Sequence, residues 1–357
     1  MNIVKRFTNL VIVVGTTLLI FLIGYLKPYY NHDMILYIAS ANYMDGYSGE
    51  DLSARTYGAV EKEVEATVFL ELTTGNHKET LYSDYKSLEQ HLPFYTIRIA
   101  YVGLMRVLNS LGMSYAKSTY TISAFFASLT VLIVALLLRR FLVPIYFLPF
   151  VVIFGGLLPL ARLSTPDAIA CFFSLLALYL IAMRNKLFLL IAAALPIFRT
   201  DFLILSLLLG AYGYFTGHKA RALVAILFSA VSYFTINQAM NNYGWLTLFN
   251  FTLISVDPYP AEIVVSSEIK SYLKLYLGAA YKLLHRAHGV IYLFAVLVLF
   301  AGRFNNLQRE EKAILWIAIS FVVLHLVAFP AYKDRFFVFS AIVSLLIVIS
   351  KTNRLKP

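Results

Sequence analysis

Three features of the sequence predict an all-α, polytopic membrane protein with about ten transmembrane helices. The first is composition. Hydrophobic residues make up 60% and charged residues only 14%, with a mean hydropathy of +0.74, whereas a soluble domain carries about 25% charged residues. The second is the recurrence of apolar runs near the ~20 residues that a helix needs to cross a bilayer. The third is a segregation of charge between the loops. Length alone would allow two soluble domains, but no segment reads as one. Residues 1–357 therefore read as a single transmembrane domain.

The apolar runs lie at roughly 8–26, 117–138, 141–161, 166–183, 187–198, 200–216, 221–240, 289–302, 312–330 and 336–350. Two of them, 187–198 and 289–302, are short for a crossing and require tilt, local thinning or a cavity. The first run follows Lys5 and Arg6 and reaches Leu26. Lys27-Pro28 is no small-residue cleavage site, so the run reads as a retained signal anchor. Cys171 is alone in an apolar run and has no intrachain disulfide partner.

Charge orients these runs. Lys27 to His91 holds eleven acids and five bases, an excess of six negative charges. The opposite set holds fourteen bases: Lys5, Arg6, Arg139, Arg140, Arg184, Lys186, Lys219, Arg221, Arg303, Arg309, Lys312, Lys351, Arg354 and Lys356. Its only acids are Glu310 and Glu311. A positive-inside bias of this size places both termini in the cytoplasm and the acidic loop, 27–116, outside. It also explains the net charge of +11 without nucleic-acid binding. Residues 93–110 could be a further span, but that would put Arg139-Arg140 outside. With Arg98 and Arg106 interrupting it, this stretch reads as an amphipathic helix on the outer surface. A second outer region, 241–288, starts aromatic and polar. It ends as a helix with an apolar stripe from Ile269 to Leu284 and a basic face of Lys270, Lys274, Lys282, His285 and Arg286.

Four places could carry chemistry. Asp33 follows the first span directly. It is either a carboxylate at the outer face that takes a proton from an acceptor, or a solvated residue that ends the span. Tyr29, Tyr30, Tyr37, Tyr43, Tyr47 and Tyr57 crowd around it. Such rings suit sugars, and they also form interfacial belts. Arg162-Leu163-Ser164-Thr165-Pro166-Asp167 opens a span. Ser164 or Thr165 as cap, Pro166 in the first turn and Asp167 at the positive helix end explain it structurally. The same helix start beside Arg162 could also receive a phosphate. Arg199 falls within the membrane thickness, where it needs a water-filled cavity or a partner, and Asp201 and Asp167 are the acids to pair with it. Lys333 and Arg335 are bases on the outer side. They suit a lipid phosphate or plain interfacial anchoring. There is no Walker A loop, GxGxxG, HExxH or Cys/His zinc spacing. A divalent metal held by Asp33 and another loop acid is compatible with the pattern but has no motif behind it.

In this order along the chain, the features resemble the GT-C superfamily of integral-membrane glycosyltransferases. In that superfamily the first span leads into an outer loop with surface helices, and an acid early in the loop is the catalytic base. Asn31-His32-Asp33-Met34-Ile35-Leu36-Tyr37 takes that place here. His91-Leu92-Pro93-Phe94-Tyr95 through Arg98 and Tyr101 resembles the helix that closes the loop. Thr165-Pro166-Asp167-Ala168 resembles a helix start after the third span. Arg199 in a fold-back and Arg335-Phe336-Phe337 at a late span also match in kind. This chain has one Asp where many members have an acidic pair, and it lacks the soluble C-terminal domain of larger members.

The resemblance implies a glycosyltransferase whose donor is a polyprenyl-phosphate-linked sugar and whose acceptor is a glycan, a lipid or a protein. Asp33 would be the base. Arg335, Lys333, Arg199 and Arg162 would hold the donor phosphate. Tyr30, Tyr37, His91, Tyr95, Arg98 and Asp167 would contact acceptor or sugar. The compact chain points to a bacterial inner membrane. Two other readings use the same charges: a transporter or flippase of lipid-linked oligosaccharide, and a polysaccharide polymerase. Against a transporter, only one candidate helix break, near Arg199, is evident, where inverted repeats would give a pair.

Overall fold

A computed structural model describes residues 3–300 and 307–353. Arg303, Arg354 and Lys356 of the basic set, and the end of the 289–302 run, lie outside the described residues. Within them the protein is all-helical. The single bridge of extended backbone joins Tyr29 to Leu163.

Helix α1 (Ile3–Leu26) leads into six helices of the first large loop: α2 (Asp33–Met44), α3 (Gly49–Glu61), α4 (Ala66–Thr73), α5 (Asn76–Ser83), α6 (Tyr85–Tyr95) and α7 (Ile99–Ser110). Next come α8 (Tyr115–Arg140), α9 (Leu148–Phe154), α10 (Leu157–Ala161), α11 (Asp167–Ala182), α12 (Phe188–Phe198), α13 (Leu203–Phe215) and α14 (Lys219–Ala239). The second loop region carries α15 (Trp245–Leu253) and α16 (Ile269–His285). The chain continues with α17 (Ala287–Phe300), α18 (Arg309–Ala328) and α19 (Val338–Asn353).

Four of these helices, α1, α8, α14 and α18, are long and apolar enough to cross a membrane, and six shorter apolar helical stretches accompany them. Helix α8 has 26 residues, about 39 Å at 1.5 Å per residue. Ser114 caps its start by accepting from the Lys117 amide at 3.1 Å, and Arg139 and Arg140 sit at its negative end. Helix α1 lies close against α8 and α10 because residue 24 is glycine. A Cβ there would meet the Ala161 carbonyl oxygen at 2.6 Å and the Ala124 Cβ at 2.8 Å.

Two expectations are corrected, and one helix is placed that the sequence alone does not assign. The 141–161 run is not one helix: Gly156, at φ +84°, breaks it between α9 and α10. The 93–110 stretch is not one helix either. It contributes the end of α6 and all of α7, with Arg98 at the break (φ −91°, ψ 56°). Helix α7 is amphipathic as expected, burying Tyr101, Val102 and Met105 and exposing Arg106. Helix α2 is not a surface helix. Met34 through Asn42 are all buried, because this segment is apolar on every face. It forms the centre of a core made by the first loop and the start of α8, distinct from the larger core among the apolar helices.

Helices α12 and α13 form a hairpin. Pro196 has no N–H for the Ala192 carbonyl. That oxygen instead accepts the hydroxyls of Ser206 at 2.7 Å and Ser229 at 3.2 Å. Helix α12 then ends, Arg199 adopts extended backbone (φ −151°, ψ 121°), and Thr200–Phe202 makes a 3-10 turn into α13. The hairpin tip is thereby held inside the protein, facing the first turn of α11.

Candidate functional site

The tip of the hairpin, the first turns of α2 and α11, the ends of α6 and α18 and the segment before α19 surround a cavity of about 610 Å³. Its apolar wall includes Leu203, Ile204, Trp245, Leu248, Phe251 and Phe329. Its charged residues are Asp33, Asp167 and Asp201 against Arg98, Arg199, Lys333 and Arg335.

Asp33 opens α2, so its carboxylate stands at the positive end of that helix. Its Oδ1 accepts from the Tyr95 hydroxyl at 3.0 Å. Its Oδ2 accepts from Asn31 Nδ2 at 2.9 Å and from Arg335 Nη1 at 2.8 Å. Burial by itself would raise the Asp33 pKa. The charge and hydrogen bond of Arg335, with Lys333 and the Tyr95 hydroxyl, outweigh burial and hold it below the usual carboxylate value. Asp33 is therefore ionised at neutral pH. Asn31 also accepts from the Ser164 amide at 3.1 Å, and Tyr29 N–H donates to the Arg162 carbonyl at 2.7 Å. These bonds tie the start of the first loop to the start of α11.

Behind Asp33 runs a chain of alternating charges. Arg335 Nε lies 3.3 Å from Asp167 Oδ2, and the other Asp167 oxygen pairs closely with Arg199. Arg199 also donates to both Asp201 oxygens, at 3.0 and 2.6 Å. His325 Nε2, on α18, is 3.2 Å from Asp201 Oδ2. Asp167 and Arg199 are each 4% exposed. At that burial a charge must be paired, and here each has two charged partners, with the Thr165 hydroxyl donating to Asp167 as well at 2.8 Å.

The cavity brings together most of the residues singled out in the sequence, with changed roles for several. Arg199 does find the partners anticipated for it, Asp167 and Asp201, and these occupy its guanidinium. Asp167 faces two arginines and has no free oxygen for a sugar. His91 is fully buried. Its Nδ1–H donates to the Ser87 carbonyl at 2.8 Å, and its Nε2 is 3.1 Å from His77 Nε2. Burial pushes the pKa of His32 and of His91 down to about 4, so both are neutral at pH 7. Tyr95 orients Asp33. Tyr37 lies edge-on to Tyr95 and Tyr101, with centroids at 5.1 and 4.8 Å. Arg98 lines the cavity, donating to the Phe94 carbonyl at 2.9 Å. Lys333 is exposed at the rim. Desolvation there, and then the Arg335 charge, lower its pKa.

Two residues are not brought to the cavity. Arg162 Nε donates to the Lys27 carbonyl at 2.6 Å, which makes it part of the tie between the first loop and α11. Tyr30 packs against the Tyr120 ring, centroids 6.1 Å apart. Residues missed from sequence are Asn31 as the clasp on Asp33, His325, and the wall residues of α15. His325 had a signal: a histidine inside an apolar run. Among the described residues, no group of three or more His, Cys, Asp or Glu converges to hold a metal.

No protein-family model matches the chain, and neither does any curated protein or solved structure.

Proposed function

We propose that the protein is a GT-C-like membrane glycosyltransferase with about ten membrane crossings. It moves a sugar from a polyprenyl-phosphate donor to an acceptor at the outer, periplasmic face of a bacterial inner membrane, with both termini in the cytoplasm. The observation that carries this reading is the carboxylate of Asp33, ionised and clasped by Asn31 and Tyr95, at 2.8 Å from Arg335 and beside Lys333 in an amphiphilic cavity. A lipid-linked phosphate needs cations next to apolar walls, and a displacement at its sugar needs a base close by.

In this reading Lys333 and Arg335 bind the donor phosphate. Asp33 takes the proton of the acceptor hydroxyl as its oxygen attacks the anomeric carbon. The bond from that carbon to the phosphate oxygen breaks, and lipid phosphate leaves with its charge held by the same two cations. A single displacement inverts the anomeric centre. Arg199, saturated by two carboxylates, supports the frame rather than the phosphate. Arg98 is left to meet the sugar or the acceptor.

The test is transfer by the purified protein with a polyprenyl-phosphate sugar. Asp33→Asn should lose at least ~100-fold of kcat while keeping the thermal stability of the parent within a few degrees. Full transfer by a folded Asp33→Asn variant would remove the base assignment. Product chemistry separates the other readings: lipid pyrophosphate would mean polymerisation, and relocated but unchanged lipid would mean transport.

A further inference from the structure

A second pocket, of about 250 Å³, lies at the other end of the helices that frame the cavity. It is lined by Ile181 in the last turn of α11, Arg184 just after it, Phe188 at the start of α12, Tyr212 and Thr216 at the end of α13, His218, and Arg309 and Glu310 at the start of α18. The 16 residues of α11 separate it from Asp167 by about 24 Å. The pocket therefore sits at the opposite edge of the apolar helices.

Its chemistry is two-signed. Glu310 is buried, its side chain 8% exposed. One oxygen, Oε1, pairs with Arg184 Nε at 2.7 Å. The other, Oε2, is buried without any hydrogen-bond partner. A buried carboxylate oxygen left without a donor is costly, so a ligand that supplies an N–H would be bound with advantage. Arg309 offers positive charge and the His218 ring offers an N–H on the same small pocket. A simple anion would meet Oε2 unfavourably, and a simple cation would meet Arg184 and Arg309. A ligand carrying both signs satisfies both. The rim adds a further condition. Met183, Leu187 and Phe215 are exposed apolar side chains next to the lining residues, as at a surface that meets acyl chains. At ~30 Å³ per water, the volume holds about eight waters, which is the scale of a lipid headgroup.

We infer that this pocket binds a phosphoethanolamine headgroup, with the phosphate toward Arg309 and His218 and the primary ammonium donating to Glu310 Oε2. The ligand is a membrane lipid rather than a free phosphate ester. The site is separate from the glycosyl-transfer cavity and does not depend on that assignment.

The test uses the full-length protein, delipidated in detergent, with binding read by native mass spectrometry and thermal shift. The probes are phosphatidylethanolamine, its N-methyl, N,N-dimethyl and trimethyl (choline) homologues, phosphatidylglycerol, and free O-phosphoethanolamine. The expected result is a fall in affinity as methyl groups replace N–H donors, about tenfold in all from ethanolamine to choline. Free O-phosphoethanolamine should bind far more weakly than the lipid. Glu310→Gln should bring the ethanolamine and choline lipids within twofold of each other, and Arg309→Gln should weaken both alike. The discrimination in the parent protein needs no variant, so a folding defect in either variant leaves the test intact. Equal affinity for ethanolamine and choline lipids would overturn the proposal, as would tighter binding of phosphatidylglycerol. Free phosphoethanolamine binding as well as the lipid would overturn the membrane source.

Discussion

Asp167→Asn tests the frame of the cavity. Asp167 is 4% exposed and stands between Arg199 and Arg335. At the 3.3 Å separation from Arg335 Nε, the gross attraction is about 5 kcal/mol with an effective dielectric of ~20. Breaking a buried ion pair costs about 3–5 kcal/mol, because the partner is left uncompensated. Each arginine here keeps a second carboxylate, Asp201 or Asp33, and asparagine still accepts from the Thr165 hydroxyl. The loss should therefore lie at the lower end, about 2–3 kcal/mol. That is a large part of the ~5–15 kcal/mol typical of folded proteins. The assay is equilibrium unfolding in mixed denaturing and mild-detergent micelles, followed by the fluorescence of Trp245 and Trp316. Arg335→Gln alone and the double variant complete a cycle. The double variant should be more stable than the sum of the single losses by ~1 kcal/mol or more. A loss below ~0.5 kcal/mol for Asp167→Asn, or additive losses in the cycle, would refute the reasoning.

Lys333 lines the cavity at its rim. Lys333→Ala should raise KM for the donor and also lower kcat, so that kcat/KM falls about tenfold or more, with unfolding unaffected. The buried His91 should make the fold sensitive to acid. Its pKa is depressed from 6.5 to about 4 in the folded protein. Between these values the unfolded chain binds the extra proton, so stability is fully present above pH 6.5 and is lost as the pH falls toward 4. The loss amounts to up to ~3 kcal/mol at the low end. His91→Asn, which keeps a donor for the Ser87 carbonyl, should flatten the dependence of thermal stability on pH between 6.5 and 4.5.

Much of this structure was legible because the membrane solvent restricts the choices. Within the described residues the apolar runs are largely helical, and four of the helices are long and apolar enough to cross a membrane, where a backbone must satisfy its own hydrogen bonds. The partners of Arg199 could be named because an arginine between two apolar runs cannot stay unpaired once buried, and Asp167 and Asp201 were the acids at hand. The signals that were misread are local. Gly155-Gly156 in the middle of an apolar run marked the break between α9 and α10. What sequence could not give was pairing across the chain. Asp33 and Arg335 are separated by 302 positions, and no periodicity links them. The same holds for Asn31 with Ser164 and for His325 with Asp201. The direction of a side chain was also hidden. His91 and Arg162 stand in plausible places, yet the His91 nitrogens are spent on the Ser87 carbonyl and on His77, and Arg162 Nε on the Lys27 carbonyl.

The two arginines that flank Asp167 differ in what they can do, and the difference bears on the proposed catalysis. Arg199 is held by Asp167 and Asp201 and has little reason to move. Arg335 is shared between Asp33 and Asp167, and its side chain is 21% exposed, open to the cavity. In the proposed reaction it is the arginine that an incoming phosphate would draw away. Its charge and hydrogen bond are also the chief influences that keep the Asp33 pKa low against burial. If a phosphate takes Arg335, Asp33 loses that stabilisation of its ionised form, and its affinity for a proton rises. In the proposed reaction, base strength would thereby be coupled to donor binding. The acid limb of kcat/KM reports the free protein, and the acid limb of kcat reports the donor complex. The midpoint of the kcat limb should thus lie at higher pH than that of kcat/KM. Each tenfold increase in proton affinity moves the limb by one pH unit, about 1.4 kcal/mol. Arg335→Gln should raise the kcat/KM limb toward the kcat limb of the parent. Coincident limbs in the parent, with no movement in Arg335→Gln, would mean that Arg335 does not leave Asp33 during turnover.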